Sequence, residues 1–296
     1  MRFVIAGSSG FLGTALRARL AQDGHEVIRL VRGEPAGAGS SRWDPAAGQV
    51  DQAVIDAADV VVTVAGAPII RPWTPSVRRR IRESRVDTTT TLAQAIRRSA
   101  HPPAFLVQTG SDAYGNSRGA MVLDESTTGV DSGLLHQIVV EVEAAAQQAG
   151  NAGARVCLLR TGAVLDKRGS TMRAMLPIFR LGLGGRVSEG RQYFPTISLR
   201  DWVGAVVHLA TSPTAAGAYN LCAPDPPTNA EFTRALGRAL HRPTKLIAPA
   251  FVLKTVMGEL SGLLLGSTRT VPRRLIEDGY SFQDPTIEEI LAQALR

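Results

Sequence analysis

The sequence predicts an α/β fold: a Rossmann-type doubly wound parallel sheet with a smaller C-terminal substrate lobe. Three observations predict it. The 296-residue chain opens on a short apolar run (2–6), then Gly7-Ser8-Ser9-Gly10-Phe11-Leu12-Gly13, then a helix-like run (14–23). Beta-alpha alternation continues through the first two thirds, the pattern of a parallel sheet covered on both faces. From Ser170 onward that rhythm loosens into shorter elements.

Taken in order, the opening run is a first strand and 26–31 a second, with a glycine- and serine-rich loop after it at 33–41. Trp43-Asp44-Pro45 precedes a turn at Gly48 and a short helix near 52–57. The β-branched run 60–64 suits a central parallel strand. It ends in Ala65-Gly66-Ala67-Pro68, small residues that leave room for a ligand across the strand ends. Thr74-Pro75 opens a helix, threonine as N-cap and proline at the first helical position. That helix is basic: Arg78, Arg82 and Arg85 share a face, and spacing alone leaves open whether Arg85 reaches a site. A separate helical stretch follows at about 89–99, then a strand at 104–108 that runs into Thr109-Gly110-Ser111-Asp112-Ala113-Tyr114-Gly115. After a polar loop come a helix at 134–149 and a strand at 155–159 ending in Arg160-Thr161-Gly162. Residues 172–181 read as a helix whose Met172 and Met175 belong to the core. Helices capped at Ser198 and at Thr228 flank a strand at 217–221, and the tail from about 243 holds short elements. The expected division is a nucleotide-binding core over 1–165 and a mixed region over 166–296 that completes the sheet and forms the lobe.

Strand, glycine turn and helix in that order suit a dinucleotide pyrophosphate. The glycines allow a tight bend and close approach, and the helix N-terminus offers free N–H groups and positive dipole. The spacing Gly7-x-x-Gly10-x-x-Gly13 departs from G-x-G-x-x-G, but the strand before it and the helix after it supply the required context. The second strand ends in Arg29-Leu30-Val31-Arg32-Gly33 with no acid at its tip. An acid there would bind the ribose hydroxyls of NAD; an arginine accommodates the 2′-phosphate of NADP. Arg32 is therefore the expected clamp and NADP(H) the expected cofactor. Cofactor contacts are expected from Gly7, Ser8, Ser9, Gly10, Phe11, Leu12, Arg32, Ala65, Gly66, Arg160 and Thr161.

The composition, 44% hydrophobic and 20% charged, is that of a globular protein with a sizeable core. Cys157 and Cys222 fall in strands and read as core residues, and the five histidines show no ligand spacing, so no metal is expected. The chain opens on its first strand, which argues against a leader, and no apolar run has membrane-spanning length; the cytoplasm is the expected location. The net charge of +7 is spread along the chain without an aromatic-basic module. It reads as a field for an anionic substrate and cofactor, with no nucleic-acid or membrane partner expected. Oligomeric state is left open.

The chain resembles the extended short-chain dehydrogenase/reductase superfamily, and within it the atypical "epimerase family protein" subgroup with a small C-terminal region. The resemblance covers nearly the whole chain. It is carried by Gly7-x-x-Gly10-x-x-Gly13, Trp43-Asp44-Pro45, Ala65-Gly66-x-Pro68, Arg82-x-Ser84-Arg85-Val86, Leu159-Arg160-Thr161-Gly162-x-Val164-Leu165, Phe179 to Gly185, Gly190-Arg191-Gln192, and Asn220-Leu221-x-Ala223-Pro224 with Thr228-Asn229-Ala230-Glu231-Phe232. It implies substrate held between the sheet's carboxyl edge and the lobe, with Arg191 and Gln192 on the substrate side. In the superfamily a hydroxyl at the end of the fourth strand orients the substrate oxygen, and a Tyr-x-x-x-Lys pair on the next helix moves the proton. Here the helix reads Leu134-Leu135-His136-Gln137-Ile138-Val139-Val140-Glu141-Val142-Glu143, with neither tyrosine nor lysine. The remaining catalytic candidates are Ser111 and Tyr114, with Asp112 and His136 behind them. Two readings follow: an NADP(H)-dependent oxidoreductase or epimerase acting on a small carbonyl or alcohol, or a non-catalytic NADP(H)-binding redox sensor or scaffold.

Overall fold

The structure, a computed structural model of the chain, describes every residue except 36, 38 and 132, and of Ser117 the backbone alone. Residues 36 and 38 belong to the predicted 33–41 loop, so that part of the loop lies outside the described residues.

In chain order the nucleotide-binding half runs β1 (Arg2–Ala6), α1 (Phe11–Gln22), β2 (Glu26–Val31), β3 (Ser40–Asp44), β4 (Gln49–Val50), α2 (Gln52–Asp56), β5 (Val60–Thr63), α3 (Pro75–Arg98), β6 (Ala104–Gly110), β7 (Ser117–Leu123), α4 (Leu134–Gly150) and β8 (Val156–Thr161). The remainder runs β9 (Ala163–Leu165), α5 (Ser170–Arg180), β10 (Gly185–Val187), β11 (Thr196–Ser198), α6 (Leu199–Thr211), β12 (Gly217–Leu221), α7 (Asn229–Leu240), β13 (Leu246–Ala248), α8 (Ala250–Met257), α9 (Gly262–Leu265), β14 (Ser267–Thr270), α10 (Arg273–Glu277) and α11 (Ile287–Ala294).

The main sheet has eight strands in the order β12-β8-β6-β5-β1-β2-β3-β4, parallel except for the terminal β3–β4 pair. Strand order reverses at β1, with β2 on one side and β5 on the other. This is the switch point at which open α/β sheets bind ligands beyond their carboxyl ends. One face packs Phe3, Ile5, Val60 and Val62 against Leu16 and Leu20 of α1 and Trp202 and Val206 of α6. The other packs Val4, Val61, Phe105 and Val107 against Ile81 and Leu92 of α3 and Ile138 and Val142 of α4. The central strands are buried on both faces, which is why their sequence is continuously apolar. A third cluster (Met172, Leu176, Phe179, Phe232, Leu236, Ile290, Leu291) is the core of the lobe.

Two local expectations are corrected. The basic helix and the stretch after it are one 24-residue helix, α3. Its threonine run is a poor helix former, but Thr88, Thr89 and Thr91 are buried; the Thr88 hydroxyl donates to Ser84 O and that of Thr91 to Pro45 O. Packing overrides propensity there. The polar loop before α4 contains β7, which pairs in parallel with β14 of the tail. No local signal announces a strand whose partner lies about half the chain away. The tail is also tied at Asp201, a fully buried carboxylate that accepts from Tyr280 Oη, Gln283 N and Asp284 N. Among the described residues no helix is long and apolar enough to cross a membrane, and no His/Cys/Asp/Glu group has metal-binding geometry.

Candidate functional site

The turn after β1 is built for close approach. Gly7 has φ +83°, and a Cβ there would lie 2.6 Å from Ala65 N; a Cβ on Gly13 would lie 2.2 Å from Gly7 O. Glycine is thus required at 7 by backbone sign and at 13 by contact. The Gly10 N–H closes the turn onto Gly7 O at 3.0 Å. Gly10 is also the N-cap of α1 and supplies no side-chain cap, so the first N–H groups of that helix keep their free valence. Ser8 is buried, Ser9 and Gly10 are exposed, and Phe11 and Leu12 are half-buried. Ala65 and Gly66 follow β5, and Ala65 abuts Gly7 across the switch point. These residues together form a cradle of bare backbone and open donors, and a dinucleotide pyrophosphate fits it.

At the tip of β2, Arg32 is exposed and makes no hydrogen bond or ion pair among the described residues. β3, whose pairing with β2 the loop composition concealed, sets Arg42 opposite Val31, one residue from Arg32. Arg42 pairs with Glu34 at 3.1 Å.

The carboxyl end of β6 passes into a single 3-10 turn, Ser111–Tyr114. Ser111 is half-buried and its hydroxyl has no hydrogen-bond partner among the described residues. Tyr114 points the other way. It is 0% exposed, and its hydroxyl donates to Asn220 Oδ1 on β12 at 2.7 Å. Burial pushes its phenol up to about 12, against the pull of Arg160. Tyr114 is a packed core residue, and the geometry takes it out of the cleft.

Arg160 is committed elsewhere too. Its Nε and Nη2 donate to both carboxylate oxygens of Glu143 on α4 at 2.9 and 2.8 Å, and its guanidinium lies 5.0 Å from the Tyr114 ring centre. Burial opposes its charge, but the bonds to Glu143 outweigh that and raise its pKa. Thr161 is buried, donating to Leu159 O and accepting from Trp202 Nε1. The side chains of both residues, expected at the cofactor, instead brace β8 against α4 and α6. Gln192 donates to Val187 O and Leu264 O, joining the lobe to α9, while Arg191 is an exposed partner of Glu189 at 3.1 Å. Among the described residues neither has a contact that places it at the sheet edge.

Two groups that the sequence held only in reserve are brought together instead. His136 of α4 is buried, and its Nδ1 lies 2.9 Å from the Asp112 carbonyl oxygen. A carbonyl can only accept, so Nδ1 carries a proton and donates it to the Asp112 carbonyl. Asp112 retains some residue exposure, but its carboxyl is desolvated. Burial pushes its pKa up, opposed by its own backbone hydrogen bond and by His136 and Arg85. Arg85 reaches the same corner from α3. Its Nη1 donates to Ala67 O and Ile81 O at 3.1 Å each, and a Cβ on Gly66 would sit 2.8 Å from its Cζ. The Arg-x-Ser-Arg segment was visible in the sequence, but only the fold shows that Arg85 turns inward.

The family model of the NAD dependent epimerase/dehydratase family matches residues 3–222, and a domain of unknown function, DUF1731, matches 248–294. An epimerase family protein of Mycobacterium bovis, Mb2239, is 39% identical over 293 residues, covering 98% of this chain and 96% of the relative. The human epimerase family protein SDR39U1 is 35% identical over 298 residues, covering 99% of both. The crystal structure of human SDR39U1 (isoform 2) with NADPH superposes with a TM-score of 0.89 at 34% identity, covering 99% of each chain. A nucleoside-diphosphate sugar epimerase of Corynebacterium glutamicum gives 0.81 at 31% identity, covering all of this chain and 58% of that one.

Proposed function

The chain belongs to the NAD dependent epimerase/dehydratase family, and we propose that it is an NADP(H)-dependent oxidoreductase or epimerase acting on a small carbonyl or alcohol. The observation that carries the reading is the uncapped α1 N-terminus behind Gly7 and Gly13, facing the small residues after β5. The NADPH in the human relative's structure supports the same nucleotide here. Arg32, unpaired at the tip of β2 with Arg42 beside it, is the group for the 2′-phosphate.

A nicotinamide dinucleotide bound there would supply hydride chemistry at a substrate carbon. The chain does the rest. The Ser111 hydroxyl, which has no partner among the described residues, positions the substrate oxygen. Asp112, whose carboxyl burial tilts toward the protonated form, donates the proton that the oxygen gains on reduction and recovers one from solvent afterwards. His136 fixes the turn through the Asp112 carbonyl.

The sensor reading draws support from α4, which carries neither tyrosine nor lysine, and from the burial of Tyr114. One experiment separates the two. Purified protein is titrated with NADPH and NADH, then incubated with NADPH and a panel of carbonyl compounds and nucleotide sugars while NADPH absorbance is followed. The enzyme reading expects consumption with at least one; tight NADPH binding with no turnover across the panel hands the case to the sensor. Arg32→Ala is expected to weaken NADPH by about tenfold or more, some 1.4 kcal/mol, and to leave NADH within about threefold. Equal losses for both nucleotides would remove Arg32 from the 2′-phosphate.

A further inference from the structure

The chain's excess positive charge is concentrated where its apolar surface is. Between Glu231 and Glu259 lie five lysines and arginines and no aspartate or glutamate, so this one segment carries five of the seven net charges. Every residue from His241 to Gly258 is exposed or half-buried. Arg234, Arg238, His241, Arg242 and Lys245 line an open hollow of about 780 Å³ at the C-terminal end of α7. Of these, Arg238 alone has an ion-pair partner among the described residues, Glu288 at 2.6 Å. Gly237 lets the returning chain lie directly on the helix, since a Cβ there would be 2.4 Å from Thr244 Cγ2. The apolar half begins one residue past Lys245. Leu246 and Ile247 of β13 point to opposite faces of their strand, yet both are exposed, and β13 has β10 as its one strand partner among the described residues. After Pro249 comes α8, which has no buried residue; Phe251 is 72% exposed and Val256 78%. Val252 and Val256, one turn apart, share a side of α8, and Lys254 falls on the opposite flank. Leu181 and Leu183 border the same surface, with Gly182 between them against Pro243. An eight-residue helix that buries nothing is marginal in water, and an exposed apolar patch of this kind marks an interaction site.

We propose that this surface docks on an anionic phospholipid membrane, with Leu246, Ile247, Phe251 and Val256 at the headgroup boundary and Arg234, Arg242 and Lys245 on lipid phosphates. The two halves together select the occupant. A second copy of the chain would cover the apolar side chains but would bring two uncompensated positive segments together. A nucleic acid would answer the charge but gives aliphatic side chains nothing to pack on, and Phe251 is the one Phe, Tyr or Trp between His241 and Gly258. An anionic bilayer offers phosphates to the first half and the acyl boundary to the second. The sequence predicts no membrane partner because no apolar run is long enough to span. A surface-seated helix needs no such run, so the lack of a spanning helix among the described residues does not bear on it. The surface shares no residue with the turn after β1, and its basic hollow lies at the other end of α7 from Thr228. The inference therefore stands apart from the cofactor reading.

The test is co-sedimentation of the full chain with vesicles of phosphatidylcholine alone and of equal parts phosphatidylcholine and phosphatidylserine. The wild type is expected to partition onto the anionic vesicles about tenfold more strongly, and less so as salt is raised. Two double variants separate the halves: Phe251→Ser with Val256→Ser, and Arg242→Gln with Lys245→Gln. All four side chains are exposed, so the unfolding midpoint should hold, while each pair weakens anionic-vesicle binding by about fivefold or more. No preference for anionic vesicles overturns the proposal. So does either double variant binding them as the wild type does, since the apolar and basic halves are both required. Sedimentation equilibrium and duplex DNA supply the competing outcomes. A dimer that the Phe251 and Val256 pair splits, without vesicle binding, assigns the surface to a second copy. DNA binding that persists at physiological salt and survives that pair, again without vesicle binding, assigns it to nucleic acid.

Discussion

Two strand ends in this molecule treat their polar groups in opposite ways. After β1, the turn and the start of α1 leave backbone donors open, and Gly7 and Gly13 keep side chains out of the space above them. After β6 and β8, most polar groups are joined to one another: Tyr114 to Asn220, Arg160 to Glu143, Thr161 to Trp202. The first end keeps its donors for a ligand. The second is a braced corner, beside which the Ser111 hydroxyl has no hydrogen-bond partner among the described residues. The difference teaches where to look for function here. A residue whose donors are all satisfied internally supports the fold; one whose donors are left over is placed for a ligand.

The largest way to break that comparison is at the open end. Gly13→Ala would put a Cβ 2.2 Å from Gly7 O and 2.8 Å from Ser8 Cα, both backbone atoms that cannot rotate away. The expected cost is about 3 kcal/mol of unfolding free energy, together with loss of measurable NADPH binding. Urea denaturation and a fluorescence titration check the two parts. A variant that keeps wild-type stability and affinity would show that the turn relaxes and that close approach is not what glycine supplies there.

The closed end is sharpened by a pair of substitutions. Tyr114→Phe removes the donor from a buried Asn220 acceptor, and about 1–3 kcal/mol of stability is expected to go with it. NADPH affinity, and the rate of any turnover found, should stay within about twofold once the variant is folded. Ser111→Ala should do the reverse. It breaks no hydrogen bond, so stability is expected to move by less than about 0.5 kcal/mol, while turnover falls by about tenfold or more. If Tyr114→Phe silenced a stable protein, the packed tyrosine would have to be returned to the mechanism.

Much of this contrast was legible beforehand at the open end and little at the closed one, for a physical reason. A strand, a turn and a helix are consecutive in sequence, so Gly7 to Gly13 declare themselves locally, and so does the Thr228 capping box of α7. Burial of the threonines of α3 and the pairing of β7 with β14 depend on residues far away in sequence, and local pattern has no access to them. Arg160 and Arg85 show the limit most clearly. Both are arginines near strand ends, and by type either suits an anion. Only the fold reveals that the carboxylate of Glu143 already holds one of them and that the other, among the described residues, donates only to the backbone carbonyls of Ala67 and Ile81.

The smallest expected effect is the most discriminating for the cleft. Burial raises the pKa of Asp112, so the native state holds that proton more tightly than the unfolded chain does. The sign follows from linkage: the protonated carboxyl's contribution is complete below the ordinary aspartate range, ~3.9, and is lost as pH rises through the native value. Asp112→Asn is neutral at every pH and lacks this dependence. The stability of wild type relative to Asp112→Asn should therefore fall as pH rises from the ordinary aspartate range toward neutrality. Arg85 from α3 and His136 from α4 also face the carboxyl, and work below about pH 6 stays within the window in which a raised aspartate titrates. Denaturation of both proteins across that window gives the difference directly. A flat difference would mean that Asp112 titrates as an exposed aspartate does. A difference growing in favour of wild type as pH rises would mean an ionised Asp112 paired with Arg85. In that case the corner is closed like its neighbours, and the proton must come from elsewhere.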